Sequence, residues 1–439
     1  MNILIINLHS SLNLGDAAIM EETLRQLRVV LPDAHFTLAT NNPDTHVQYA
    51  AQASVVGTFK SWVYRVDRDK QIRYNLLAIP LALTTAVVAG LTFRFFGRPL
   101  YLTRDPEKRR LMEAYFSADL VVNSGGHILT TLRRAAFSYV IIALSSLYAP
   151  LVGKPLYMFP QTIGPFHSRP HRWLAEAVLR HTRIVLVRDQ ELFDEAIRSS
   201  AIRRKTLCLP DAAFGLAPGD QERGWEILHE IGIEPMPHMP TVGMTVLQWG
   251  EIRRSFEHQS EYEQAMVSLM RYIVREMDGR VLLFGQGLGP SYMEDDRLLA
   301  RRLRDKADLP PDRAVVIGHV KTPRGLVDVY STLDILVGTR MHSSIMAMVS
   351  NVPVLAVAYT LKKHRGVFRG IGMERWVCDI ETINGDRLIE AFRQAWAARK
   401  ETRRHLARTI PAVRQAALQA SHLIAADWEN MRASKENRG

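Results

Sequence analysis

At 439 residues the chain is too long for one ordinary core, so two domains are the natural expectation. Hydrophobic residues at 47% and charged residues at 23% exclude a disordered chain, and two distant cysteines, Cys208 and Cys378, exclude a disulfide framework or a cysteine-rich zinc site. The formal charge of +11 calls for acidic partners; with no zinc-finger spacing, aromatic RNA-binding signature or isolated basic helix, a phosphorylated substrate or anionic lipid fits better than nucleic acid.

In chain order, MNILIINL has neither a basic lead nor a small-residue cleavage site and reads as a first strand, not a signal peptide. The loop NLHSSLNLGD follows, with Asn13, Gly15 and Asp16 ahead of a helix that runs to Leu31. Asp16 could serve there as an N-cap or as a functional carboxylate. After the strand HFTLAT comes an unusual segment, residues 60–110, with eleven Lys/Arg against four Asp/Glu, a net +7 of the +11. It contains LLAIPLALTTAVVAGLTF, Leu76 to Phe93, eighteen residues without a charge and long enough to be weighed as a membrane span. A crossing would separate NLGD and NSGG, which should share one sheet. Pro80 and Gly90 point to a bent segment, and Arg65, Arg68, Lys70, Arg73, Arg94, Arg98 and Arg104 flank it. The expectation is therefore docking on an anionic membrane surface through residues 76–93, weighed against an internal core helix.

The strand DLVVNSGG brings Asn123, Ser124, Gly125 and Gly126 to what reads as a strand-to-helix turn, where glycines and helix N–H groups favour an anion. The spacing is not that of a dinucleotide fingerprint, and there is no Walker A sequence. Next come KPLYMFPQTIGPF, with Gln161 at a strand end, and RIVLVRD, with Arg188 and Asp189, which read in isolation as a surface ion pair. Residues 219–240 are rich in Pro, Gly and charge and read as a linker. The alternation then restarts through TVGMTVL, RVLLFGQG, AVVIGHV, DILVGT and VPVLAVAY. Two such alternations predict two Rossmann-like doubly wound α/β domains facing across a cleft, residues 1–218 and 241–398, with a helical extension over 399–439 broken at Pro411.

In DILVGTRMHSSIMAM a strand turns into a helix, and packing does not explain Arg340 and His342 there. Ser343 and Ser344 could cap that helix, but positive charge is disfavoured at a helix N-terminus, so the site should hold a compensating anion. A guanidinium's forked bonds suit carboxylate or phosphate.

At this point the sequence resembles the polysaccharide pyruvyl transferases. The motifs NLGDAAI, NSGGHIL, PQTIGPF, VRD, PDAAF and GTRMHSSIMAMVSNVPVLAVAY run in order through most of residues 1–370. The resemblance implies two Rossmann-like domains arranged as in the B-type glycosyltransferases. It also implies transfer of a pyruvyl group from phosphoenolpyruvate to a sugar, with a cyclic ketal and free phosphate as products. It assigns Arg188 and Arg340 to the donor and His342 to catalysis. Asp16 is the candidate for holding or deprotonating the acceptor hydroxyl. Ser343, Gly125, Gly126 and Gln161 are expected on the donor side, and Asn13, Asn123 and His127 on the acceptor side. His127 stands where the family often has a third glycine.

No metal and no cofactor are expected, phosphoenolpyruvate being a co-substrate, and the acceptor is a glycan, free or lipid-linked. The expected location is cytoplasmic, peripheral at the inner face of the cell membrane. The competing reading is a nucleotide-sugar glycosyltransferase, since a donor diphosphate would use the same arginine and helix termini.

Overall fold

The computed structural model describes residues 1–66, 72–131, 136–236, 238–248, 256–291 and 294–436. The chain divides into two compact units. The first comprises Met1–Ser11, Ile19–Ala212 and Ala416–Gly439, and the second Leu12–Ala18 and Ala213–Gln415. The division differs from a simple cut near residue 218, because the loop after the first strand joins the second unit and the end of the chain joins the first.

In the first unit, β1 (Asn2–Leu8), β2 (His35–Thr40) and β3 (Ser54–Gly57) precede a short hairpin, β4 (Tyr64–Val66) and β5 (Ile72–Tyr74). Six strands follow: β6 (Leu120–Asn123), β7 (Gly126–Leu129), β8 (Leu156–Met158), β9 (Gln161–Ile163), β10 (Val185–Val187) and β11 (Thr206–Cys208). They form a five-stranded parallel sheet in the order β3-β2-β1-β6-β8 and a four-stranded one in the order β11-β10-β9-β7. Buried apolar residues dominate β1, β6, β8 and β10, as expected of sheets covered on both faces, whereas the edge strand β11 is mostly exposed. β6 passes into β7, and β8 into β9, through two-residue breaks that move the chain from one sheet to the other. The NSGG loop is therefore not a strand-to-helix turn. Gly126 opens another strand, and the next helix begins only at Ala136.

Helix α1 (Leu14–Val30) links β1 to β2, and helices α2 (Ile79–Phe96), α3 (Pro106–Ser117) and α4 (Ala136–Leu151) follow. By length and composition α2 could cross a membrane, yet β1 and β6, which precede and follow it in sequence, are paired neighbours in one sheet. Helix α2 is continuous, with Pro80 in its first turn, where the missing N–H costs nothing. Its flanking cations Arg68 and Lys70 lie outside the described residues.

The second unit is one six-stranded parallel sheet: β12 (Thr241–Thr245), β13 (Arg280–Phe284), β14 (Ala314–Ile317), β15 (Ile335–Gly338), β16 (Val354–Ala358) and β17 (Val377–Asp379). Its order, β14-β13-β12-β15-β16-β17, reverses direction between β12 and β15. That reversal creates the crevice beyond the strand ends where ligands of such sheets bind. The stretch expected as a linker holds a helix, Gln221–His229, capped by Asp220. The last helix runs unbroken from Arg399 to Glu436 with Pro411 inside it.

Candidate functional site

The constellation in the second unit is built at the β12/β15 reversal. Thr245, ending β12, accepts hydrogen bonds from the backbone of Thr339 (3.0 Å) and Arg340 (3.3 Å), which fixes the turn out of β15. Tyr262 supports the same turn, its hydroxyl 2.8 Å from that of Thr339. Arg340 then occupies the N-cap position of the helix Met341–Val349 without offering a capping side chain.

The compensating anion expected beside Arg340 is present as a side chain of the protein. Arg340 Nε donates to Asp296 Oδ2 at 3.0 Å, and Nη2 donates to Oδ1, a forked pair that is almost fully buried. Asp296 is itself pinned by the backbone N–H of Gly287 at 2.7 Å. Burial works against the charge on Arg340, but Asp296 outweighs it, with Tyr359 and Asp16 adding to the field, and the guanidinium is held above its ordinary pKa.

Asn13, Gly15 and Asp16 reach this constellation on a strap. Leu12 and Leu14 exchange backbone hydrogen bonds with Leu288 (2.8 Å) and Gln286 (3.0 Å). Asn13, not Asp16, caps α1: its Oδ1 accepts from the N–H of Gly15 at 3.1 Å, while its amide donates to Asp16 at 2.8 Å. Asp16 is thereby a partly exposed first-turn carboxylate that is oriented but not consumed by capping. Gln286 joins the two sides. Its Oε1 accepts from the backbone N–H of Ser343 at 2.8 Å and from the Ser343 hydroxyl, and its Nε2 donates to Asn13 at 3.3 Å. Ser343 is therefore spent on Gln286, while Ser344 turns back to the Arg340 carbonyl at 3.4 Å. Gly15 is required by close approach, since a Cβ there would stand 2.7 Å from His342 Nδ1 and 2.6 Å from Gln286 Nε2. The imidazole of His342 thus lies against the backbone of the strap, one residue from Asp16.

The predicted residues of the first unit are placed differently. Arg188 has a fully buried side chain, donating from Nε to Thr162 at 2.9 Å and from Nη1 to Asp211. Its ion-pair partner is the aspartate of PDAAF, while the adjacent Asp189 caps the helix Gln190–Ala196. A guanidinium closed into such a pair, here as for Arg340 on Asp296, reaches a donor only if the pair opens. Asn123 is likewise spent: its Oδ1 accepts from Asn7 at 3.0 Å and its amide donates to Ser146 at 3.0 Å, all buried. Gly125 is explained by the crossing of strands, because a Cβ would meet the Pro160 carbonyl at 2.9 Å. His127, in β7, is partly exposed. Gln161 is fully buried, and neither of its amide atoms meets a hydrogen-bond partner, a costly arrangement for a structural side chain.

Sequence reasoning missed Gln286 and Asp296. Gln286, flanked by glycines at a strand's carboxyl end, carries the same signal as the NLGD and NSGG loops. Asp296, at a helix start, looks like one more capping acid. His364 was missed too; it is buried beside Lys363 with Nδ1 donating to the Thr360 carbonyl at 3.0 Å, and burial pushes its pKa down to about 3. Among the described residues, no cluster of three His, Cys, Asp or Glu could hold a metal ion.

A curated relative, the Amylovoran biosynthesis protein AmsJ of Erwinia amylovora, is 22% identical over 419 residues, spanning 93% of this chain and 95% of that protein. Among solved structures, the S. aureus MnaA–UDP complex aligns with a TM-score of 0.57 at 11% identity over 96% of this chain and 94% of that one. A glycosyltransferase from Rickettsia africae aligns with a TM-score of 0.57 at 10% identity over 97% and 98%. Identities this low establish the fold, two Rossmann-like units, and nothing further. The model of the polysaccharide pyruvyl transferase family matches residues 13–360, a span that opens at Asn13 of the strap and contains every side chain of the constellation, and the chain belongs to that family.

Proposed function

We propose that the protein transfers the pyruvyl group of phosphoenolpyruvate to a sugar of a polysaccharide or lipid-linked glycan, forming a cyclic ketal and releasing phosphate. The observation that carries this reading is the meeting of Asp16, Arg340 and His342 at the sheet reversal of the second unit. The reaction needs a proton delivered to the methylene carbon, which leaves an oxocarbenium-like centre for a sugar hydroxyl to attack. Phosphate departs, and a second hydroxyl closes the ketal as it loses its proton. His342 serves a proton transfer, Asp16 takes up the hydroxyl proton, and Arg340, held flat by Asp296, faces the donor's anionic groups. Gln286 and Ser343 fix the geometry.

We place the reaction at an anionic membrane surface. Leu81, Phe95 and Phe96 of α2 are 64%, 75% and 78% exposed, far beyond what scattered surface apolar residues require. Sedimentation with phosphatidylglycerol vesicles, lost on replacing these three by Ser, tests that placement.

The test of the chemistry is phosphate release from phosphoenolpyruvate that depends on a glycan acceptor, with a matching mass gain on the glycan. His342→Ala should lower turnover by about two to four powers of ten while phosphoenolpyruvate still binds. Thermal stabilisation by uridine or guanosine diphosphate sugars, and none by phosphoenolpyruvate, would transfer the protein to the glycosyltransferase reading.

A further inference from the structure

Helix α2 is packed inside out. The residues it buries, Thr85, Ala86, Ala89 and Gly90, are small, while Leu81, Leu83, Leu91, Phe95 and Phe96 are exposed and Phe93 alone of its phenylalanines turns inward, stacked on Phe116 at 4.3 Å. Only 22% of this apolar helix is buried. The small face is fixed firmly: a Cβ on Gly90 would meet Tyr148 at 2.9 Å and Val152 at 3.2 Å, and the Tyr148 hydroxyl donates to the Ala86 carbonyl at 3.0 Å. An amphipathic helix of an ordinary water-exposed surface shows the reverse pattern.

Beside this anchor, α2, α4 and the short helical turn Phe59–Trp62 enclose an open groove of about 200 Å³. Among the described residues, every one lining it is apolar or aromatic, including Trp62, Leu83, Val87, Ile141, Leu144 and Tyr148. The hydroxyl of Tyr148 is taken by Ala86, so the groove offers a ligand carbon surface. The sequence that carries α2 has charge of one sign over a long stretch. From Lys70 to Arg104 the sequence has no Asp or Glu, and Arg94, Arg98 and Arg104 are exposed. Lys108 Nζ lies 5.7 Å from the Trp62 ring centre at the groove itself. The carboxylates that follow, Asp105 and Glu107, are paired with Lys108 at 3.9 Å and Arg110 at 2.8 Å.

The geometry points to a binding site for the single hydrocarbon chain of a phosphate-bearing lipid, the carrier of the glycan acceptor. This rests on the reading of the protein as a transferase acting on a lipid-linked glycan. A slot walled by three elements admits one chain, whereas a glycerophospholipid brings two and suits the open outer face of α2. The cations match a phosphate at the end of that chain. Burying the chain's methylenes supplies affinity that a soluble glycan lacks.

The experiment is photolabelling of the full chain by a diazirine-bearing polyprenyl phosphate in phosphatidylglycerol nanodiscs, with photoreactive phosphatidylglycerol in a parallel arm. Labelling requires no turnover, so its outcome is independent of whether phosphoenolpyruvate proves to be the donor. The polyprenyl probe should mark Val87 and Leu144. Ala82→Trp and Leu144→Trp, which fill the groove, should cut that labelling by about tenfold or more, since excluding even a few methylenes weakens binding that much. Leu83→Asp, at a half-exposed position that leaves the core untouched, should do the same. The phosphatidylglycerol probe should mark Leu81, Phe95 and Phe96 in wild type and variants alike. Polyprenyl labelling that ignores all three substitutions would overturn the proposal. So would equal labelling of the groove by phosphatidylglycerol, or a homodimer that Leu83→Asp dissociates, which would make a second copy of the chain the occupant.

Discussion

Arg340 shows how a cation is kept at a helix start that disfavours it. The forked pair with Asp296 uses two N–H groups, Nε and Nη2, along one guanidinium edge, and the carboxylate is locked by Gly287. A lysine offers one point charge, so Arg340→Lys should lose the flat orientation as well as the fork. We expect most activity to disappear, with a rise in KM for phosphoenolpyruvate; near-normal KM and turnover would remove Arg340 from donor binding. His364 gives a prediction of a different kind. Burial, reinforced by the charge of Lys363, keeps its ring neutral down to about pH 3, whereas an unfolded histidine takes its proton near 6.5. Between those values the unfolded chain binds more protons, so folding stability falls as pH drops through 6.5 toward 3, by at most about 1.4 kcal/mol per pH unit from this group. Urea midpoints measured across that range should fall less steeply in His364→Gln than in wild type.

At the scale of elements, the strap Leu12–Asp16 decides the geometry. Gly15→Ala would push a methyl group into His342 and Gln286, and one of them must move. We expect activity to fall by about 10²-fold while the melting temperature changes little, because a displacement of about 1 Å at a reacting group has that effect. An unchanged rate would mean that the strap does not set the position of the imidazole. The strap also marks the limit of what the sequence discloses. Strand runs such as NILIINL and VPVLAVAY, and the residues Asp16, Arg340 and His342, were legible because buried parallel strands are apolar and their carboxyl ends are not. The partners were hidden: Asp296 lies 44 positions before Arg340, and Asp211 lies 23 after Arg188. Local pattern reports which groups stand at strand ends, but long-range pairing decides whether a guanidinium faces a ligand or another side chain. The crossing at NSGG was hidden for a related reason, since a break of two residues between strands looks in sequence like a helix entry.

At the scale of the whole molecule, the final helix belongs to both units, its residues up to Gln415 to the second and those from Ala416 to the first. Within the first unit, Ala417, Ala420, Ile424 and Trp428 are buried. Asp427 accepts from Arg183 at 2.6 and 2.9 Å and from the Tyr157 hydroxyl at 2.7 Å. The Arg183 guanidinium, with Tyr157, holds the Asp427 carboxyl below its usual range despite partial burial. Asp427→Asn should cost about 1 kcal/mol, as expected for a partly exposed charged pair. Removal of residues 416–439 should do far more, exposing the underside of the first unit and leaving it prone to proteolysis. Limited digestion that attacks both units equally after truncation, or neither, would contradict this assignment.

The same helix sets an order on biosynthesis. Translation usually lets the N-terminal domain fold first, as it emerges at about 5–20 residues per second. Here the first unit begins at Met1 but lacks its closing segment until Ala416 onward has left the ribosome. The second unit needs only the early strap and the run that ends at Gln415. A segment made after the second unit therefore completes a unit begun before it, and the nascent β1–β11 region waits unsealed through the synthesis of the whole second unit.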